Sequence, residues 1–312
     1  MENRGFEYRE RVDRRADGRT LLEHLARRYT HSSRERWAER ILSGQVLVDG
    51  ERSPPDRLLG RGQRVVWRRP GWVEPAVPLG FAVLFEDDRL LAVAKPAGLP
   101  TLPGGGFLEH TLLALVRRHY PSASPLHRLG RWTSGVVLCA RSREAGAALS
   151  AAWRDRRVIK RYRALAVGRP ARRRFRVDYP IGPVAYPPLG TLFAASPAGK
   201  PATSVVEVVE QRQGEFLADV TIETGRPHQI RIHLAAAGHP LAGDPLYAVG
   251  GLPCATGDAL PGDPGYRLHA ASIEFEHPAS GARVTVACRT PVDLCPSVTR
   301  GSAASSSGRA PV

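Results

Sequence analysis

Residues 127–135 read His127-Arg-Leu-Gly-Arg-Trp-Thr-Ser-Gly135, and an apolar run predicted as a β-strand, Gly135–Ala140, follows directly. Short apolar runs of this kind outnumber predicted helices between residues 81 and 290. Strands in excess of helices, without regular β-α-β alternation, indicate an α+β domain on a mixed, mainly antiparallel sheet. The predicted helices of this domain are His110–His119, Ser142–Arg157 and His228–Ala237.

A small unit with its own local signals precedes this domain. Thr20 and Ser32 each stand three residues before a Glu and offer a hydroxyl that can cap a helix, so two short helices are expected. Gly44 stands where the second helix should end, and Asp49-Gly50 favours a tight hairpin turn. A further strand is predicted over Gln63–Arg68.

This order of helix, helix, hairpin and strand resembles the S4 RNA-binding domain, an α/β fold, over residues 18–70. Residues 1–70 hold 17 Arg against 11 acidic residues. The resemblance implies that arginines on or near one face contact RNA, although an exposed arginine is by default only a solvated side chain. These arginines are Arg34, Arg36, Arg40 and Arg61.

Composition sets the other boundaries. Residues 1–17 are charged and without pattern, which predicts a flexible arm. Proline-rich sequence predicts a linker over residues 71–80, and the second domain is expected over residues 81–295. The small polar residues of 296–312 predict a disordered tail.

The charge of the chain favours a polyanionic partner. The 312 residues include 45 Lys+Arg and 30 Asp+Glu, a formal net charge of +15, and only three of the basic residues are lysine. Arginine grips phosphate through two parallel hydrogen bonds, which suits RNA or DNA. A GC-rich genome would also raise the arginine share, but it would not explain the net sign.

The same composition disfavours several other classes of protein. A hydrophobic content of 42% rules out wholesale disorder, and four widely spaced cysteines indicate neither a disulfide framework nor a zinc site. The amino terminus lacks an apolar signal core, and no run approaches the roughly 18 apolar residues of a membrane span. We therefore expect a cytoplasmic monomer without a membrane or metal partner.

Chemistry-bearing residues of the second domain fall into four segments in a fixed order. The first is Lys95-Pro-Ala-Gly-Leu-Pro-Thr101, the second is residues 127–135, and the third is Lys160-Arg-Tyr-Arg-Ala-Leu-Ala-Val167. The fourth is Thr224-Gly-Arg-Pro-His-Gln-Ile-Arg-Ile-His233 with Gly238-His-Pro-Leu-Ala-Gly-Asp-Pro-Leu-Tyr247. Leu268-His-Ala270 and His277-Pro278 complete the series.

This series closely resembles the RluA-type family of RNA pseudouridine synthases, in which an amino-terminal S4 domain is common. The resemblance implies an isomerase of uridine in rRNA or tRNA that needs no cofactor. Such enzymes cut the bond between uracil N1 and the ribose, rotate the base and rejoin the sugar to C5. The target uridine must leave its stack, which requires a closed pocket and a basic channel.

The resemblance places the family's catalytic aspartate directly after His-Arg-Leu, where this chain has Gly130. A glycine has no side chain to attack the sugar or to remove a sugar proton. Asp87, Asp88 and Asp244 lie near other motifs, but each matches a position where the family pattern itself shows an acid. No relocated carboxylate is therefore visible in the sequence.

The other pocket positions match the family. Tyr162 corresponds to the tyrosine that stacks on the target base, although a strand tyrosine can equally be core packing. Arg231 corresponds to the arginine that pairs with the aspartate, so opposite Gly130 we expect it to lack a partner and either to recruit an anion, such as an RNA phosphate, or to stay hydrated. The RNA contacts that the resemblance implies are Arg128, Arg131, Thr133, Ser134, Arg226, His228 and Gln229.

Alternatives remain open for several of these residues. The hydroxyls of Thr133 and Ser134 can equally satisfy their own turn. His127, His228 and His233 are favoured as hydrogen-bonded structural histidines over metal ligands. Residues 154–176 hold 11 basic side chains against one acid, which predicts an RNA track or only a solvated face.

Two functions follow from these observations. The first is an RNA pseudouridine synthase whose chemistry survives the glycine at position 130. The second is a catalytically silent RNA-binding protein, either an RNA chaperone or a ribosome assembly factor, that retains the synthase fold.

Overall fold

The computed structural model describes residues 2–255 and 257–297, so the predicted tail from residue 298 onward lies outside the described residues. The chain divides into two compact units, residues 1–75 and 76–312. This division falls inside the predicted linker. The first half of that linker belongs to the first unit, because Val73 bridges to Glu2 and the Asn3 amide donates a 2.6 Å hydrogen bond to Glu74.

The first unit contains a four-stranded sheet and two helices. The strand order in the sheet is β1-β4-β2-β3. In chain order the elements are β1 (Phe6–Arg11), α1 (Leu21–Arg28), α2 (Arg34–Leu42), β2 (Val46–Val48), β3 (Glu51–Arg52) and β4 (Arg64–Arg69). Leu25, Trp37, Ile41 and Val46 pack together in its core.

The prediction of a flexible arm over residues 1–17 is wrong. Residues 6–11 form β1, which pairs antiparallel with β4 along its whole length. Val12 and Ala16, which follow β1, are buried in the core of the unit. The charges that suggested an arm lie on an edge strand, where side chains alternate between solvent and sheet and exposed charges discourage pairing between molecules.

The local sequence signals predicted the helices and the hairpin of this unit correctly, except that one helix cap lies one residue later than expected. Thr20 and Glu23 form the predicted capping box at α1. At α2 the cap is Ser33, not Ser32, and its hydroxyl accepts from the Arg36 N–H. Asp49 and Gly50 both have positive φ angles, 53° and 92°, as a tight hairpin turn requires.

The second unit is built on a ten-stranded mixed sheet. The main path runs β10-β13-β14-β9-β15-β8-β6-β5, and only the pairing of β15 with β8 is parallel. Its strands are β5 (Ala82–Glu86), β6 (Leu90–Lys95), β7 (Ser124–Pro125), β8 (Ser134–Ala140), β9 (Ile159–Val167), β10 (Arg174–Val177), β13 (Ser204–Gln211), β14 (Glu215–Ile222), β15 (Leu268–Glu276) and β16 (Arg283–Ala287). This confirms an α+β fold with a mixed, mainly antiparallel sheet.

Three helices cover the two faces of this sheet. Alternate residues of one strand enter different cores: Leu91 and Val93 pack on one face, and Leu90 and Ala92 on the other. The first face carries α3 (Leu112–His119) and part of α5 (Gln229–Ala236), and the second carries α4 (Arg143–Arg154). No helix among the described residues has the length and apolar character needed to cross a membrane.

The predicted helices were correct in place but too long. α4 ends at Arg154 because Arg156 has a φ of 58°, and α5 begins at Gln229 because His228 has a φ of 55°. A separate hairpin, β11 (Ile181–Tyr186) with β12 (Gly190–Ala195), was missed. It packs against Ile232 and Ala235 of α5. A 3₁₀ turn, Val292–Leu294, ends the regular structure described.

Candidate active site

The loop that carries position 130 is held by the Lys95–Thr101 segment. The buried Lys95 ammonium donates to the carbonyls of Pro96, Leu99 and Arg131, at 2.8, 2.7 and 3.0 Å. The Thr101 hydroxyl donates to the Leu129 carbonyl at 2.9 Å and accepts from the Leu129 N–H at 3.2 Å. These contacts explain why two distant motifs occur together: one fixes the backbone of the other.

Gly130 lies in this loop. The space that a side chain at position 130 would occupy is filled by another residue. Its φ lies outside the left-handed region, so the backbone would accept any L residue. A Cβ built there would lie 2.7 Å from the Tyr266 hydroxyl oxygen and 3.4 Å from Thr133 Oγ1. The hydroxyl of Tyr266 therefore occupies the volume into which a side chain at position 130 would project.

Three neighbouring strands bring the site together. Ala270 of β15 pairs with Tyr162 of β9 on one side and with Gly135 of β8 on the other. Gly135 has a φ of 113°, and a Cβ there would lie 2.2 Å from the Ala270 carbonyl oxygen, so this close approach needs glycine. Tyr266, just before β15, thus reaches the loop that precedes β8.

Tyr162 is buried on the sheet face that carries α3 and α5, with only 9% of its surface exposed. Burial raises the pKa of its phenol to about 12, so the hydroxyl is neutral at physiological pH. A neutral aromatic ring with one exposed edge can pack against a base without a charge penalty.

The expectation that Arg231 lacks a partner is wrong. Its guanidinium, 3% exposed, forms two parallel hydrogen bonds of 2.7 Å with Asp244, which is fully buried. The Asp244 carboxylate also accepts from the N–H groups of Leu246 and Tyr247. Arg231 therefore needs no recruited anion, and Asp244 is not available to react.

Arg231 also lies between two aromatic rings. Its guanidinium carbon is 4.1 Å from the ring centroid of Tyr266 and 5.1 Å from that of Tyr247. The predicted role of Arg231 in holding a carboxylate at position 130 is thus replaced by packing on the tyrosine that fills this position.

The segment before α5 is fixed by Gln229, which was predicted to contact RNA. Its buried amide accepts from the Thr224 hydroxyl and the Arg226 N–H, and donates to the Thr203 carbonyl and the Ser204 hydroxyl. With every donor engaged, its side chain positions the segment instead of reaching a ligand.

The histidines of the motifs each form hydrogen bonds to a different protein group and do not bond to one another. His127 accepts from the Leu138 N–H, and burial lowers its pKa to about 4. His228 Nδ1 lies 2.7 Å from the Tyr247 hydroxyl, and burial likewise lowers its pKa to about 4. Among the described residues no three His, Cys, Asp or Glu side chains are grouped to hold a metal ion.

Two adjoining cavities meet at position 130. The first, of about 100 Å³, includes Gly130, Tyr162, Arg231 and Tyr266 in its lining. The second, of about 620 Å³, is a groove bounded by the β12 hairpin and the Pro100–Gly104 segment. The described lining of neither cavity includes an Asp or a Glu. The residues common to both are Arg128, Leu129, Gly130, Arg226 and His228.

Among the remaining residues predicted to contact RNA, some side chains face the cavities and others are hydrogen-bonded or buried within the protein. Arg128 is exposed at the junction of the two cavities, and Arg226 lies beside it with one bond to the Pro201 carbonyl. Arg131 donates to the Gly98 carbonyl at 3.0 Å. Thr133 is buried, and the Ser134 hydroxyl lies 2.9 Å from His269 Nδ1.

The basic run over residues 154–176 is less positive than its sequence suggests. Lys160 is buried, and Arg161, Arg163 and Arg176 pair with Glu274, Asp219 and Glu223. These acids come from other strands, so the sequence window could not reveal them. Within the described residues, Arg172–Arg174 make no ion pair, which leaves a shorter basic stretch.

The arginines predicted to contact RNA in the first unit have different surroundings. Arg34 is exposed, and Arg36 pairs with Glu39 on the surface. The guanidinium carbon of Arg40 lies 4.6 Å from the ring centroids of both Trp37 and Trp67. Arg36 and Arg40 line a cavity of about 430 Å³ within this unit.

Sequence reasoning missed Tyr266 and the partner of Arg231. Asp244 lies inside the Gly238–Tyr247 segment, whereas Tyr266 stands two residues before the Leu268-His-Ala270 signature and outside every motif. The sequence did offer one signal for Tyr266: an aromatic residue stands beside a family signature in a chain that has glycine at the family's reactive position.

Known proteins share this architecture and sequence. A family model described as RNA pseudouridylate synthase matches residues 89–236. An uncharacterized RNA pseudouridine synthase of Synechocystis is 42% identical over 276 residues, covering 88% of this chain and 95% of that protein. The chain belongs to the RNA pseudouridine synthase family. Proteins of this family isomerise uridine to pseudouridine in RNA.

Other relatives place the chain among bacterial and plant members of the family. RNA pseudouridine synthase 5 of Arabidopsis thaliana is 40% identical and covers 77% of this chain and 79% of its own. Ribosomal large subunit pseudouridine synthase D of Vibrio parahaemolyticus is 31% identical, with 89% of each chain covered. The structure of human RNA pseudouridylate synthase domain containing 1 shares the fold, with a TM-score of 0.56 at 24% identity over 70% of this chain and 87% of that chain.

Proposed function

We propose that this protein is an RNA pseudouridine synthase that takes a flipped uridine into the cavity between Tyr162 and Gly130. The observation that carries this proposal is the pocket itself: the buried Tyr162, the loop clamped by Lys95 and the Arg231 paired with Asp244 surround one cavity. Its lining combines apolar side chains with a few polar groups, as small-molecule sites do. A concave, largely apolar site favours a base that has left its stack.

The second cavity supports a path for the RNA backbone. Arg128 and Arg226 lie where it meets the pocket, and arginine is the residue best suited to phosphate. Arg131, Thr133, Ser134, His228 and Gln229 serve this site by shaping its walls. The proposed substrates are ribosomal RNA and tRNA, and ribosomal RNA is to be tested first because several relatives are named for the ribosomal large subunit.

The first unit is proposed to be an S4-like domain that adds RNA affinity. Its order of two helices, a hairpin and a strand supports this role, as do the exposed Arg34 and Arg36 and the stacked Arg40. Exposed guanidinium groups suit contact with the phosphate backbone of RNA.

Gly130 favours a second function, that of a silent RNA-binding protein. The site offers no carboxylate among its described lining residues, and Asp244 is held by Arg231. Removing the reactive group of a nucleophilic mechanism commonly costs several orders of magnitude in rate.

Pseudouridine maps of total RNA from cells with and without the protein separate the two functions. A synthase predicts at least one pseudouridine that disappears on deletion and returns when the purified protein is added to RNA from the deletion strain. Maps that are identical, together with RNA binding by the purified protein, would establish the silent function instead.

A further inference from the structure

Tyr266 combines three properties that packing alone does not require. Its hydroxyl lies 2.7 Å from the Cβ position of residue 130, its side chain lines the pocket, and only 4% of its surface is exposed. The Thr133 hydroxyl lies 3.4 Å away, at the limit of a hydrogen bond. The phenolic oxygen is therefore placed at the reactive position with weak competition from protein groups.

We propose that the Tyr266 hydroxyl is the nucleophile of the isomerisation, in place of the missing side chain of residue 130. This inference rests on the proposed function. Tyrosine is an established nucleophile at the anomeric carbon in one class of glycosidases, so the chemistry is accessible to a phenol.

In the first step the phenolic oxygen bonds to C1′ of the ribose, and the bond from C1′ to N1 of uracil breaks. The phenolic proton passes to N1, which leaves neutral uracil in the pocket and an aryl riboside on Tyr266. After the base rotates, its C5 bonds to C1′ and the phenolate departs. The proton of C5 then returns to the phenolate, so pseudouridine forms without any co-reactant.

The surroundings of Tyr266 suit both steps. Arg231 places its guanidinium carbon 4.1 Å from the ring centroid, so a fixed positive charge lies beside the ring that carries the developing negative charge in the second step. Asp244 fixes this guanidinium through two hydrogen bonds, so the cation is oriented before substrate binds. Tyr266 lines the cavity beside Gly130, which presents no side chain between the hydroxyl and a bound nucleoside.

The test compares Tyr266→Phe with the wild-type protein and with Tyr179→Phe, an exposed tyrosine of the same unit. Each is assayed for pseudouridine on RNA from a deletion strain, and unfolding curves check that each is folded. We expect Tyr266→Phe to lose at least about 1000-fold in kcat with little change in RNA affinity. Tyr179→Phe should retain wild-type activity.

The double variant Gly130→Asp/Tyr266→Phe identifies the role of the hydroxyl. Rescue by Asp would show that Tyr266→Phe removed only the reacting group, with the pocket and the RNA-binding groups still competent, as the proposal requires. Failure of the folded double variant to regain activity would overturn the assignment.

The remaining outcomes separate this inference from the proposed function. An active, folded Tyr266→Phe protein would overturn the role of Tyr266 and leave the synthase function standing. A wild-type protein that binds the RNA but forms no pseudouridine would overturn the proposed function and this inference with it.

Discussion

The two walls of the pocket differ in how completely their polar groups are paired. The helix wall, residues 224–231, has its buried polar side chains bonded within the protein: Gln229 is saturated and Arg231 is held by Asp244. The loop wall, residues 128–134, has its backbone clamped by Lys95 and Thr101, but it lacks a side chain at position 130.

The helix wall therefore holds the residues that position the site, and the loop wall holds the position at which the family reacts. A buried charge that loses its partner destabilises the fold, so the helix wall cannot lose one member of a pair alone. A small residue at position 130 leaves no orphaned charge, because Arg231 has Asp244 and Tyr266 fills the space. The reactive position could therefore change while the apparatus around it stayed intact.

Breaking the helix wall should give the largest effect. Asp244→Asn leaves the Arg231 guanidinium buried without a counter-charge, and we expect the free energy of unfolding to fall by about 3–5 kcal/mol. Urea denaturation followed by circular dichroism measures it. The matched control is Asp219→Asn, whose partner Arg163 is nearer the surface, with an expected loss below about 1 kcal/mol. Equal losses in the two variants would contradict the distinction between buried and exposed pairs.

A side chain added to the loop wall should give a smaller effect. Gly130→Ala places a methyl group 2.7 Å from the Tyr266 hydroxyl, and we expect a loss of about 1–3 kcal/mol in unfolding free energy. Gly130→Ala/Tyr266→Phe should recover most of this loss, which a double-mutant cycle detects as coupling.

Gly80→Ala is the control for this cycle, because no atom lies within 4 Å of its Cβ position and its φ is not left-handed. It should change stability by no more than about 0.5 kcal/mol. A cycle without coupling between positions 130 and 266 would mean that Tyr266 moves aside at no cost.

The smallest effect is expected where the two walls meet the groove. Arg128→Ala and Arg226→Ala should each weaken RNA binding and lower the slope of log affinity against log salt by about 1, because each removes one phosphate contact. Fluorescence anisotropy across a salt series measures this slope. Arg143→Ala, on the helix that covers the opposite sheet face, should leave it unchanged.

Local chemistry made much of the fold predictable. Thr20, Thr111 and Ser142 accept from backbone N–H groups at helix starts, and strand runs such as Leu90–Lys95 alternate between two cores. The hairpin Ile181–Tyr186 with Gly190–Ala195 was missed because Pro183 and the Pro187-Pro188 turn favour a loop interpretation. The hairpin is held in place by packing on α5, and a contact between segments so far apart in the chain cannot be read from a local stretch of sequence.

The site was predictable only in part, for the same reason. The loop, Tyr162 and Arg231 lie in recognisable motifs, whereas the partner of Arg231 depends on a turn 13 residues away. Tyr266 lies 136 positions from Gly130 in the chain, and only the strand order places its hydroxyl there. Distances across a sheet follow from topology, which residue patterns do not contain.

The central place of β15 has a consequence for biosynthesis. This strand, Leu268–Glu276, lies between β9 and β8, although it is among the last strands of the described chain to be made. On the ribosome, β5, β6 and β8 can pair early, and β9, β14, β13 and β10 can pair later, but these two half-sheets remain separate until residue 276 has emerged. Long-range pairing of this kind is slow and leaves strand edges exposed in the meantime. The pocket is therefore completed only after β15 has emerged. A nascent chain stalled before residue 266 lacks both Tyr266 and the strand that joins the two half-sheets.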